Sequence, residues 1–103
     1  MTNIATIFRT MPERYKPGVL SGTRTYYFSI GDFKYTVELD SESCKVVEGK
    51  TVGQADVVLK TTPKIFERLV IDGKLPGALD IARGRFKTND PGGLQALKEL
   101  FDF

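Results

Sequence analysis

One apolar hairpin constrains this chain more than any other feature. Residues 25–40 read TYYFSIGDFKYTVELD. Tyr26, Phe28 and Ile30 alternate with Tyr27 and Ser29. After Gly31-Asp32, Phe33, Tyr35, Val37 and Leu39 alternate with Lys34, Thr36 and Glu38. A period of two puts each set on one face of a pleated strand. A two-residue loop that opens with glycine suits a type II′ turn. The apolar face of such a hairpin needs a cover.

The flanking sequence supplies both strands and cover. SESCKVVEG (41–49) reads as a third strand, and QADVVLKT (54–61) as a fourth, with Ala55, Val57 and Leu59 on one face. Four strands so close together predict a meander with one wet and one covered face. Asp56, between Ala55 and Val57, is expected on the wet face. Helices are predicted around them. Ile4, Ile7, Phe8 and Met11 fall on one helical face over residues 3–15, and Pro12 is expected to end or kink that helix. Thr62 and Pro63 read as N-cap and first turn of a second helix with the stripe Ile65, Phe66, Leu69 and Val70. Asp72-Gly73 closes it.

Residues 72–93, DGKLPGALDIARGRFKTNDPGG, hold glycines beside basic residues, a combination that can cradle a phosphate. There is no G-x-x-x-x-G-K-[ST] and no G-x-G-x-x-G, and Gly73-Lys74 is followed by Leu75 instead of a hydroxyl. Punctuation accounts for the glycines instead. Pro76-Gly77 opens a short helix, ALDIAR, and Gly84 ends it. GRFKT is a strand with Phe86 inward and Arg85 and Lys87 outward. Asn89 is expected to turn with positive φ, Asp90 to cap the last helix and Pro91 to open it. Leu94, Leu97 and Phe101 line that helix. The expected class is α+β: a single domain, residues 1–103, with a five-stranded, mostly antiparallel sheet covered on one face by helices.

Composition narrows the chemistry. The 103 residues include no histidine and no tryptophan, so Ser-His-Asp and Cys-His arrangements are impossible. A zinc site would have to use carboxylates and one thiolate. The acids are scattered singly and nothing converges on a reaction, so the expectation is no enzyme, no metal and no cofactor. The net charge of +2 is too small to argue for nucleic acid as a partner. Cys44 is alone, forms no internal disulfide and reads as a small buried hydrophobe. No apolar run approaches a membrane span, no secretory signal is visible, and the expected location is cytoplasmic.

The order of these pieces resembles the sterol carrier protein type 2 family. IFRTMPERYKPGVLSG is similar to its opening helix and Met-Pro loop. TYYFSIGDFKYTVELD and SCKVVEG are similar to its meander, and ADVVLKTTPKIFERLVIDGK to its strand, helix and Gly-Lys turn. GALDIARGRFKTNDPGGLQALKELF is similar to its closing segment. Asn89, the Arg85-Phe86 pair and Leu79-Asp80-Ile81 depart from the family's usual residues.

The resemblance implies an apolar tunnel between sheet and helices, and non-enzymatic carriage of a fatty acid, acyl-CoA, sterol or other lipid. It implies no metal or catalytic residue. The walls of such a tunnel would be the inward strand residues and helix stripes: Phe28, Ile30, Val37, Leu39, Phe66, Val70, Leu79, Phe86, Leu97 and Phe101. Each also fits an ordinary core position. Arg83, Arg85 and Lys87, and Arg9, Arg14 and Lys16, read as solvated faces or as aids to a ligand's carboxylate or phosphates. The first helix is expected to pack on the sheet, with at most transient membrane contact. A dry tunnel of ~300 Å³ would cost about 7 kcal/mol at ~24 cal/mol per Å³, comparable to the stability of a small domain. The space must therefore hold ligand or be filled. The filled case defines the alternative, a protein-interaction or accessory module of the same fold, with a partner protein or a homodimer open.

Overall fold

The computed structural model describes residues 4–49, 53–73 and 77–101. Lys74, Leu75 and Pro76, singled out above, lie outside the described residues. The first helix, α1, spans Ile4–Arg14 and buries Ile4, Ile7, Phe8 and Met11, the face the spacing predicts. Pro12 does not end it. Proline forfeits the one N–H bond to the carbonyl four residues back. So near the helix end, that loss is outweighed by the burial of the apolar stripe.

Five strands follow: β1 (Arg24–Ile30), β2 (Phe33–Leu39), β3 (Cys44–Glu48), β4 (Val57–Thr61) and β5 (Phe86–Thr88). Their order in the sheet is β3-β2-β1-β4-β5. The β1–β2 hairpin pairs Ile30 with Phe33 across Gly31-Asp32. Gly31 has φ +59°, and no non-glycine among the described residues has a positive φ. That combination excludes a type I′ turn and fits type II′.

The predicted four-stranded meander stops at three. β4 pairs with β1, parallel, with Tyr26 opposite Val57 and Phe28 opposite Leu59. Alternation along β4 correctly gives its inward face, since Val57 and Leu59 are buried. It does not say which edge of the sheet the strand will join. The β2–β3 and β4–β5 pairs are antiparallel, so the sheet is mixed but mostly antiparallel, in an α+β fold as expected.

The covering layer comprises α1, α2 (Pro63–Glu67), α4 (Pro91–Gln95) and α5 (Leu97–Leu100), while a short α3 (Ala78–Ala82) packs beside β5. Thr62 caps α2, its hydroxyl oxygen accepting from the Ile65 N–H at 3.3 Å. The chain then widens into a π-helical segment, Arg68–Asp72, closed by Gly73 at φ +69°. This widening was not legible in the apolar stripe, since Leu69 and Val70 are buried either way. Asp90 caps α4, as expected, by accepting from the Gly93 N–H at 3.1 Å.

Phe8 ties the layers together. Its ring stacks on Tyr35 of β2 at 4.2 Å and on Phe66 of α2 at 5.3 Å, and meets Phe28 of β1 at 5.3 Å. Such aromatic pairs add directional energy to plain area burial. On the opposite face of the sheet Thr36 is nevertheless buried, its hydroxyl donating to the Gly49 carbonyl at 2.7 Å.

Candidate functional site

The residues expected to wall a tunnel fall into three environments. Phe28, Ile30, Val37, Leu39, Phe66, Val70, Leu97 and Phe101 belong to one continuous buried cluster with α1. Phe86 is half-buried and packs against that cluster. Leu79 is apart from it, 69% exposed on α3. Phe8, Met11, Tyr26, Phe28, Ile30, Val37, Leu59 and Phe66 have no surface that a water-sized sphere can touch. In this structure, side chains occupy the space between sheet and helices around these residues.

Polar groups inside the fold are engaged in structure. The Tyr26 hydroxyl donates to the Gly93 carbonyl at 2.8 Å. Burial raises its pKa, an effect opposed by the nearby Arg24 guanidinium, which donates to the same oxygen at 3.4 Å. Cys44, half-buried in β3, has its thiol pushed up to about 12 by burial, which leaves it a poor nucleophile near neutral pH. Among the described residues no three His, Cys, Asp or Glu side chains stand together as a metal-holding group. No helix among them is long and apolar enough to cross a membrane.

Asp56, exposed as expected, and Asn89 act as clips between strands. Asp56 exchanges bonds with Thr25: its N–H donates to the Thr25 carbonyl at 2.9 Å, and its Oδ2 accepts from the Thr25 N–H at 2.8 Å. Asn89 does not adopt a positive φ. Its side-chain amide instead mimics a strand, with Oδ1 accepting from the Val58 N–H at 2.7 Å and Nδ2 donating to the Asp56 carbonyl at 3.2 Å. An asparagine side chain carries the donor and acceptor of a peptide group, so it can extend a ladder where the backbone turns away.

A cleft of about 210 Å³ opens at one end of β4, lined by Thr62, Lys64, Ile65, Arg68 and Arg85. Adjacent threonines set both of its walls. Thr61 donates its hydroxyl proton to the Arg85 carbonyl at 2.7 Å and holds the start of β5. Thr62 caps α2 and so fixes the turn that presents Lys64 and Arg68. Of the three cations, sequence reading singled out only Arg85. Lys64 and Arg68 are four apart on a helical face, a spacing visible in the sequence but not distinctive without the fold.

Three exposed apolar side chains lie close to these cations in the sequence. Ile71 follows Arg68 by three residues and is 44% exposed. Ile81, 55% exposed, precedes Arg85 by four residues, as does Leu79 by six.

These features define an α+β domain whose sheet and helices bury one continuous apolar cluster. No protein-family model and no curated protein matches the chain. Solved structures do. A double mutant of the sec-alkyl sulfatase PisA1 matches with a TM-score of 0.76 at 19% identity, covering 99% of this chain and 17% of that one. The stereoselective inverting sec-alkylsulfatase Pisa1 from Pseudomonas sp. matches with a TM-score of 0.72 at 18% identity, again over 99% of this chain and 17% of that one. At this identity the likeness establishes a shared fold. The chain spans about a sixth of the length of those chains.

The resemblance to the sterol carrier protein type 2 family is overturned by these findings: the two structures named are alkylsulfatase chains, and no family model matches. The strings that carried it are a Gly-Asp hairpin, a Thr-Pro helix start and an Asp-Pro helix start. Each is the local signature of a junction that any sheet with a helical cover can use. Their order follows from an architecture and does not define a lineage.

Proposed function

We propose that the chain is a non-enzymatic module that binds a lipid or other ligand with an apolar chain. The observation that carries this reading is the exposure of Leu79 and Ile81 on α3. Fully burying such a side chain is worth about 1.5–3 kcal/mol, so an apolar chain laid over this end would gain part of that at each contact. An exposed apolar patch rimmed by charge is a recurrent mark of an interaction site. The sec-alkylsulfatases that share the fold are, by name, enzymes for alkyl sulfates, an analogy of fold alone. A cytoplasmic setting, in which a lone thiol stays reduced, belongs to the same proposal.

Native mass spectrometry of the purified protein, before and after organic extraction, tests this reading. A lipid that leaves on extraction, and whose return raises Tm, supports it. Leu79→Asp with Ile81→Asp should abolish that stabilisation while the protein stays folded. Equal stabilisation of wild type and variant, or of neither, counts against it.

A second reading is favoured by the filled space around Phe8, Phe28 and Phe66. There the chain is an accessory module, and the α3 end meets a protein partner or a second copy. Concentration-dependent sedimentation that is lost in the same double variant would favour the homodimer form of this alternative.

A further inference from the structure

We infer that the cleft between Thr62 and Arg85 is an oxyanion site that takes the carboxylate, sulfate or phosphate head of an amphiphile. The amphiphile part rests on the reading of the α3 end as a binder of apolar chains; the anion part does not. Lys64 and Arg68 come from α2 and the π-helical segment, and Arg85 from the residue before β5. Side chains from separate elements thus line one concavity, and none of the described lining residues is a carboxylate. At roughly 30 Å³ per water, the cleft has room for an oxyanion with part of its hydration.

The lining matches that chemistry group by group. Guanidinium forks present paired N–H donors suited to planar or tetrahedral oxyanions, and the Lys64 ammonium adds a mobile point charge. The Thr62 hydroxyl oxygen already accepts from the Ile65 N–H, which leaves its proton for an incoming acceptor. Ile65 supplies an apolar wall where the first methylene groups of a tail would leave the head. Lys64 and Arg68 bring like charges to one hollow, which is unfavourable by itself, and an anion relieves it.

Calorimetric titration with decanoate, decanol and inorganic sulfate at low ionic strength tests the site. The variant is Lys64→Gln with Arg68→Gln, both at exposed positions, and each single variant serves as a check on folding. Wild type should bind decanoate about tenfold or more tightly than decanol, the scale of one charge-assisted hydrogen bond. The double variant should erase that preference and leave decanol binding unchanged. Decanoate binding that is identical in wild type and variant would overturn the anion site and leave the apolar-ligand reading intact. Sulfate binding lost in the variant, with neither amphiphile bound, would support the anion site, identify a free oxyanion as the source, and sink the lipid reading. Absence of binding by decanoate and sulfate alike to wild type would overturn the inference.

Discussion

The Tyr26 hydroxyl and the Gly93 carbonyl meet at 2.8 Å, although 67 positions separate them in the chain. Tyr26 lies in β1 and Gly93 in α4, so this bond fastens the C-terminal helices to the central strand. Both groups are buried. Tyr26→Phe removes the donor and leaves a buried carbonyl without it, and a cost of about 1–3 kcal/mol is expected. Urea denaturation should show a lower midpoint with unchanged slope. A stability equal to wild type would mean that water replaces the hydroxyl.

Gly93 also explains itself sterically. A Cβ at this position would sit 2.6 Å from Val57 Cγ2, so α4 can approach β4 this closely only at a glycine. Gly93→Ala should destabilise by about 1–3 kcal/mol through overpacking. Val57→Ala should recover part of that loss when the two are combined, a coupling that a double-mutant cycle reads directly. Independent, additive effects would show that the helix shifts instead.

Much of the architecture was legible because local chemistry and burial agree. The hairpin register, the Thr62 and Asp90 caps and the apolar stripes of α1 and α2 all follow from the periodicity and capping rules. What was not legible depends on residues far apart. The parallel seat of β4 beside β1 is set by sheet edges that alternation does not encode. Gly93 reads as punctuation until Val57 is placed against it. The cationic cleft is scattered over 24 positions, and only the pairing of β4 with β5 draws Arg85 toward Lys64 and Arg68. Leu79 and Phe66 have the same apolar character in sequence, yet one faces water and the other is enclosed.

That last contrast is measurable. Phe66→Ala removes a ring that stacks on Phe8 and meets Phe28 edge-on. It should cost about 3–5 kcal/mol, the usual range for a buried Phe. Leu79→Ala, at an exposed site, should stay within about 0.5 kcal/mol. A large loss at Leu79 would place α3 against the core in solution.

Cys44 offers a probe of the β3 edge. With its thiol pushed up to about 12 by burial, it carries almost no thiolate at neutral pH. Iodoacetamide should label it far more slowly in the folded protein than in urea. Labelling at the unfolded rate would show that β3 frays from β2.

Asp40 closes the turn between β2 and β3. Its carboxylate accepts from the Glu42 N–H at 2.8 Å, the Ser43 N–H at 2.6 Å and the Ser43 hydroxyl at 2.9 Å. These bonds favour the ionised form and hold its pKa below the ordinary 3.8. Because the folded value is the lower one, the contribution to stability is fully present above the unfolded pKa. It is lost as pH falls through the folded pKa. Asp40→Asn should therefore be less stable than wild type near pH 6, and the gap should close in strong acid. NMR titration of the Asp40 carboxyl, with denaturation curves of both proteins across that range, checks the sign. A gap that stays constant with pH would assign the difference to turn geometry that asparagine does not reproduce, and not to the charge.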